Sequence, residues 1–278
     1  MSKKNLVQTT TDEKGVEVVM VRVDKTLKEL MEAKPIIRLD AAYWHPKYDK
    51  MLSEINKKFI IEKFKKFLVR CDQGDGLRTK KGDKYVSDGI PMISVVDIKK
   101  TGINYNSLRH IVESHYKRIS GAQPNYGDIL IVRSGAGSIG KSSIYLNKPS
   151  GPKVGITGHI NTLGFKEINS FYIEVFLKSV FGQSQIERFE SGVSGQTEFT
   201  QDSIAELKIP ILSTNVQKNI ENQYKNMTIF HDNAMEELKN QNESEYKKNI
   251  EVAEKMLKDL ITKTEAVIRG ERNDVIDK

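Results

Sequence analysis

Between residues 214 and 269 the chain contains neither glycine nor proline. A run of more than fifty residues without either helix breaker predicts helix, about 80 Å long if it is continuous. Its second half carries Ile250, Ala253, Leu257, Leu260, Thr264 and Val267, spaced alternately three and four apart with one polar member. That spacing is a coiled-coil seam. Between 239 and 249 the seam fades into polar residues, which leaves open a register shift, a solvated mid-section or a break between two helices. A narrow apolar seam on a protruding helix calls for a partner, either another copy or another protein. Packing back onto the chain's own domain is the alternative.

What precedes this segment reads differently. Residues 1–35 combine a polar start, a strand-like run over 16–23 and a short helix pattern through Leu27, Leu30 and Met31, stopped at Pro35; they read as an appendage. From Arg38 the chain leads into a helix pattern with Met51, Leu52, Ile55 and Phe59 on one face. From about 68 to 212, β-rich runs at 93–98, 129–132, 144–146, 160–165 and 207–212 alternate with turns, with one helix pattern over 171–181. The class expected is α+β: a mixed α/β domain with a twisted sheet, followed by the long C-terminal coiled-coil helix.

Forty-four Lys and Arg against 37 Asp and Glu give a net charge of +7, which favours polyanionic partners, chiefly nucleic acid. Cys71 is the only cysteine, so no internal disulfide and no cysteine-built zinc site can form. No apolar run approaches the roughly 20 residues that span a membrane, and the polar N-terminus lacks a signal-peptide core, so a cytoplasmic protein is expected.

Residues 126–141, Tyr-Gly-Asp-Ile-Leu-Ile-Val-Arg-Ser-Gly-Ala-Gly-Ser-Ile-Gly-Lys, place an aliphatic strand before a glycine-punctuated turn bracketed by Arg133 and Lys141. Gly135, Gly140, Lys141 and Ser142 formally complete a phosphate-binding loop, and Gly135, Gly137 and Gly140 a dinucleotide fingerprint. Both motifs must open a helix whose N-terminus faces the phosphates. Here the text after Lys141, Ser-Ser-Ile-Tyr-Leu-Asn, is β-rich instead. The histidines at 45, 110, 115, 159 and 231 show no metal-ligand spacing, and His110 and His115 read as surface loop. An adenine methyltransferase would need a cofactor site and a base-holding Asn-Pro-Pro-Tyr-like loop, and neither is found. The expectation is a non-enzyme without cofactor or metal.

DNA contact would then fall to basic and amide side chains on loops. The glycine-bounded stretch 75–84 concentrates Arg78, Lys80, Lys81 and Lys84. Lys99, Lys100, Arg109, Lys117 and Arg118 form a second basic set, and Arg133, Ser134 and Lys141 sit on the motif turn. Arginine can grip guanine, and Gln or Asn adenine, at two points each; Arg78, Arg133 and Gln196 are therefore candidates for base reading, with the lysines on phosphates. Gln196 and Thr197 follow Gly192 and Gly195 and can alternatively shape a turn. Tyr43 and Trp44 read as core.

With these residues in view, the chain resembles the target-recognition half of specificity (S) subunits of type I restriction-modification systems. Three blocks carry the resemblance: 126–141; Gly155-Ile-Thr-Gly-His-Ile-Asn-Thr-Leu; and Gly192-Val-Ser-Gly-Gln-Thr-Glu-Phe through Ile204 to Ile209-Pro-Ile-Leu and Gln217. With 91–98 and the terminal helix it spans about 36–270. It implies a DNA target-recognition domain over 36–212, a long dimerisation and partner-docking helix over 213–270 and a tail at 271–278. The implied partners are double-stranded DNA, a DNA methyltransferase (modification) subunit and a restriction subunit, with catalysis in those other chains. The family's usual subunit carries two recognition domains and two long helices; this chain has one of each, so a homodimer through the helix, with 250, 253, 257, 260, 264 and 267 at its seam, would restore bipartite reading. Two other readings are a coiled-coil adaptor or anti-restriction decoy that binds the methyltransferase without reading DNA, and a nucleotide hydrolase built on 135–142.

Overall fold

The computed structural model describes residues 6–11, 17–22, 43–78, 82–119, 121–135, 137–146, 153–190 and 197–277. Strands β1 (Leu6–Thr11) and β2 (Glu17–Arg22) pair antiparallel as a separate hairpin, where only one strand was expected. The helix pattern around Leu27 lies outside the described residues. Helix α1 (Pro46–Ser53) begins with proline in its first turn and with His45 Nδ1 accepting the Lys47 N–H at 3.1 Å. Then come β3 (Ile61–Lys63), a 3-10 turn at Phe64–Lys66, β4 (Leu68–Gln73), β5 (Tyr85–Val86), β6 (Ile90–Ile93), a 3-10 turn at Val95–Asp97 and β7 (Arg109–Ile111). They are followed by α2 (Glu113–Arg118), β8 (Ile129–Val132), β9 (Ser142–Ile144), β10 (Gly155–Ile156) and β11 (Ile160–Phe165). The chain ends with α3 (Ser170–Lys178), α4 (Val180–Phe189), α5 (Gln201–Ala205), β12 (Lys208–Pro210), α6 (Thr214–Lys239) and α7 (Glu243–Arg269).

Two four-stranded sheets carry the domain, in the orders β4-β11-β8-β9 and β10-β6-β7-β5. The first is antiparallel throughout; in the second β10 runs parallel to β6. The unbroken aliphatic run of β8 follows from its place between two cores. Ile129 and Ile131 face one hydrophobic cluster with α3, α6 and α7, while Leu130 and Val132 face the other with Met92, Ile111 and Ile156. A strand buried on both faces needs no polar alternation. The 93–98 run is strand only up to Ile93, because Ser94 and Asp97 form a capping box that turns the chain: Asp97 Oδ2 accepts from the Ser94 N–H at 2.8 Å and its hydroxyl at 2.6 Å. His115 is not on a surface loop: α2 buries it completely.

The C-terminal helical segment is present, divided at residues 240–242 into two packed helices rather than one continuous rod. No glycine marks the break. Gln241 takes a left-handed φ of 60° and the Asn242 side chain caps α7. Each helix is therefore about 40 Å long, and α7 returns antiparallel along α6. Ala253, Leu257, Leu260, Thr264 and Val267 are all buried within the chain, and Ile250 is half-buried near the turn. The seam expected between two copies is thus covered by the chain's own α6 and α3, because a fold-back brings an intramolecular apolar face within reach. Helix α7 stops at Gly270, whose φ of 82° favours glycine; a Cβ there would stand 1.9 Å from Asn56 Nδ2, so that amide would have to move. The 271–277 stretch is not a free tail; Val275 is fully buried and Asp274 accepts from the Asn219 amide at 2.8 Å.

His231 seats α6 on the sheets. Its Nδ1 and the Thr101 hydroxyl are 2.8 Å apart, its Nε2 lies 3.2 Å from the Ile103 carbonyl, and Gly102 passes so close that a Cβ would come within 2.4 Å of the ring. No helix among the described residues is long and apolar enough to cross a membrane.

Candidate nucleic-acid interface

Where β4, β7, β8 and β11 end, a cleft of about 520 Å³ opens between the two sheets. Its position follows from the strand register: β11 pairs with β4 and β8, so Gln73 at the end of β4, Arg133 and Ser134 just after β8 and His159 just before β11 meet at one rim. The second sheet supplies Tyr85 and Arg109 from neighbouring β5 and β7, together with Val96 from the capped 3-10 turn. Arg109 is exposed and lies over the Tyr85 ring with its guanidinium carbon 4.1 Å from the centroid. No carboxylate pairs with Arg109 among the described residues. The cation–π contact holds the guanidinium over the ring and leaves its N–H groups without a carboxylate.

Around it stand groups of mixed hydrogen-bonding character. Gln73 donates to the Gly158 carbonyl at 3.0 Å from an exposed position, and Ser134 Oγ shares a hydrogen bond with His159 Nδ1 at 2.9 Å. The Thr157 hydroxyl is buried and without a partner among the described residues. Val96 is 69% exposed on a turn whose backbone the Ser94–Asp97 box holds rigid. An arginine fork, an amide, hydroxyls and an exposed methyl-bearing side chain are the groups that distinguish base edges and the thymine methyl.

The expected DNA-contacting residues divide into five groups. Arg109, Arg133 and Ser134 line the cleft, but Arg133 donates to Glu198 at 2.8 Å and its side chain is only 14% exposed. Its charge is neutralised, and it orients the 198–199 segment, whose Phe199 N–H donates to the Arg133 carbonyl at 2.8 Å. Lys99, Lys100 and Lys141 line a different cleft, against α7. Arg78 and Arg118 belong to a carboxylate network instead of a phosphate-binding loop. Arg118 donates to Asp75 at 3.0 Å and pairs with Asp83, which also accepts the Arg78 N–H at 2.7 Å. The Arg78 N–H and the Arg118 guanidinium hold the Asp83 carboxyl below its ordinary value, and at Asp75 the bonds from Arg118 and Arg78 outweigh the raising effect of burial. Lys84 and Lys117 are exposed, and Thr197 is half-buried. Lys80, Lys81 and Gln196 lie outside the described residues.

Gln73, Tyr85, Val96, Thr157 and His159 escaped the sequence reading. Thr157 and His159 lay in a block already singled out and Val96 in the 91–98 stretch, but none of them was named for this role; Gln73 and Tyr85 are brought to the cleft by cross-strand pairing, which no short motif encodes. The loop at 137–140 leads into β9, not into a helix, so the geometry that a phosphate-binding loop requires is absent from 142–144. Among the described residues no cluster of three or more His, Cys, Asp or Glu side chains is arranged to hold a metal.

No protein-family model matches the chain, and no curated protein does. Solved structures similar to it include a type I restriction-modification system S subunit from M. genitalium, at 15% identity and a TM-score of 0.41 over 65% of this chain and 40% of that one. A structure described as the basis of complex assembly and conformational transition of the type I R-M system matches at 11% identity and a TM-score of 0.44, over 79% of this chain and 51% of that one. The HsdS subunit from Thermoanaerobacter tengcongensis matches at 12% identity and a TM-score of 0.42, over 81% of this chain and 51% of that one. The chain thus spans about half the length, or less, of the structures it matches.

Proposed function

We propose that this chain is a DNA-recognition subunit of a restriction-modification complex, a half-length counterpart of the S subunits it resembles, which reads duplex DNA at the cleft between its two sheets. The observation that carries this reading is Arg109, exposed, without a carboxylate partner among the described residues and held over the Tyr85 ring beside Gln73, Ser134 and His159. A guanidinium held in this way can enter a major groove and grip guanine O6 and N7 with little loss of side-chain freedom, while the amide and hydroxyls discriminate neighbouring pairs. The excess of positive charge, +7 overall, supplies salt-sensitive attraction to the backbone. Catalysis belongs to partner chains in this reading, and the chain carries no cofactor of its own.

The helical hairpin is the docking element for the methyltransferase. Its inner seam is spent on the chain's own core, so the contact must use the outer faces, where Ile229, Leu238 and Val252 are the exposed large hydrophobics. Selection from a random duplex-DNA pool, with and without the methyltransferase subunit, tests the assignment. Enrichment of a single short motif fits one recognition domain acting alone, and a split motif with a fixed spacer fits two copies on one site. No enrichment at low or physiological salt refutes DNA reading and favours the adaptor or decoy.

A further inference from the structure

A second cleft, of about 600 Å³, lies between the 98–100 segment, the 137–141 turn and α7, on the edge of the sheet formed by β9. Four lysines line it: Lys99, Lys100, Lys141 and Lys178. Only two have acidic partners among the described residues. Lys178 pairs with the fully buried Glu174 at 3.0 Å, and Lys100 loosely with Glu254 at 3.6 Å across to α7. Lys99 and Lys141 have no carboxylate partner; the Lys141 ammonium reaches only the Ser138 hydroxyl, at 3.1 Å. The contrast with the lysines at 63, 65 and 66 is instructive, because those three are neutralised by Glu206 and Glu62.

Polar capacity is left over here too. Ser142 lines the cleft and is 1% exposed, and its hydroxyl has no hydrogen-bond partner among the described residues. The pairing of Ser142 with Ile131 puts its side chain on the sheet face that α3 and α7 cover, and the Lys178 ammonium donates to its carbonyl at 2.7 Å. A buried hydroxyl without a partner is unfavourable unless a ligand or water satisfies it. Two ammonium groups without a carboxylate partner among the described residues, Lys99 and Lys141, on one concavity favour the entry of an anion.

We propose that this cleft is a phosphate-binding site, with Lys99, Lys141 and Ser142 as its principal donors. It is separate from the cleft that holds Arg109, and the helix that follows a nucleotide-binding loop is missing here. The lysines act as point charges and the serine hydroxyl as a fixed donor; no helix N-terminus takes part. The phosphate can belong to the backbone of the DNA that the sheets read or to a free phosphate compound, and the chemistry of the site is the same for both. Phosphate entering beside Lys100 would also compete with Glu254 for that ammonium and so reach α7.

The test uses the full chain and the exposed pair Lys99→Gln and Lys141→Gln in one variant, with circular dichroism to establish that it folds. Inorganic pyrophosphate is titrated calorimetrically, and a labelled duplex of arbitrary sequence by anisotropy over a range of salt. Loss of duplex affinity with a salt slope smaller by about 2 identifies the DNA backbone as the source, since each neutralised phosphate contributes about 0.9. Saturable pyrophosphate binding that weakens by about tenfold or more in the variant identifies a free phosphate, with or without a change in the duplex. Unchanged binding of both probes by the folded variant overturns the proposal. Arg109→Gln run alongside separates the two clefts: if neither variant nor wild type binds any duplex, the recognition reading fails, and pyrophosphate binding still decides this one.

Discussion

Replacing Leu260 with alanine removes three carbon atoms from a side chain that is 1% exposed on the inner seam of α7. The lost transfer free energy is about 2.4 kcal/mol, at roughly 0.8 per buried carbon, and the cavity left between α7 and the sheet-facing helices brings the expected cost to about 3 kcal/mol. For a chain of this size that lowers the melting temperature by about 5 °C. Because the seam packs inside one chain, the decrease should be the same across a hundredfold range of protein concentration, and the mass measured by light scattering should not change. Melting followed by circular dichroism, with light scattering on the same samples, reads both quantities. An unaltered melting temperature in dilute protein, with a loss of oligomer mass in concentrated protein, would show that Leu260 lies between copies and would refute the hairpin.

Two further outcomes follow from half-buried ionisable groups. Burial alone would raise the Glu221 carboxyl, but hydrogen bonds from Lys225, Asn169 and Lys218 outweigh it and hold it at about 2. A depressed folded-state value stabilises the protein fully above the ordinary carboxylate range, and the contribution is lost as pH falls from about 4.5 toward 2. With both lysine partners half-exposed it amounts to about 1–2 kcal/mol. Urea titrations at pH 6 and pH 3 should therefore differ by less in Glu221→Gln than in the wild type, and an equal difference would contradict the assignment. Burial, reinforced by the charge of Asp72, pushes the Cys71 thiol up to about 12. Alkylation at pH 8 should accordingly be slow in native protein and fast in urea, and equal rates would show that the thiol is not held in this environment.

The helical character of 214–269 was legible because no residue there breaks a helix, yet the same absence concealed the fold-back. Gln241 takes a left-handed conformation that glycine or asparagine more commonly supplies, and it does so because the turn lets α7 bury Leu257 and Leu260 against α6 and α3. Strand β8 was legible from its four aliphatics, though not that its alternate residues serve two different cores. The basic residues were the least legible. Lys99, Lys100, Arg109, Lys117 and Arg118 read as one set, but the fold sends Arg109 to one cleft, Lys99 and Lys100 to another, and Arg118 to Asp75 and Asp83. Which cations remain free depends on which carboxylates the chain brings to them, and those lie 35 and 43 residues away from Arg118. Tyr85 was missed for a related reason: its role depends on Arg109 reaching over from a neighbouring strand.

The most direct measurement is a comparison of base preferences, obtained by sequencing the duplexes retained from a random pool by wild-type protein and by Arg109→Gln, each with the methyltransferase subunit present. If the cleft between the sheets reads DNA, the variant should lose a preference for guanine at one or two positions, at a cost of about 1–3 kcal/mol, and keep the preferences at the others. Identical preference profiles for the two proteins would contradict base reading at this cleft.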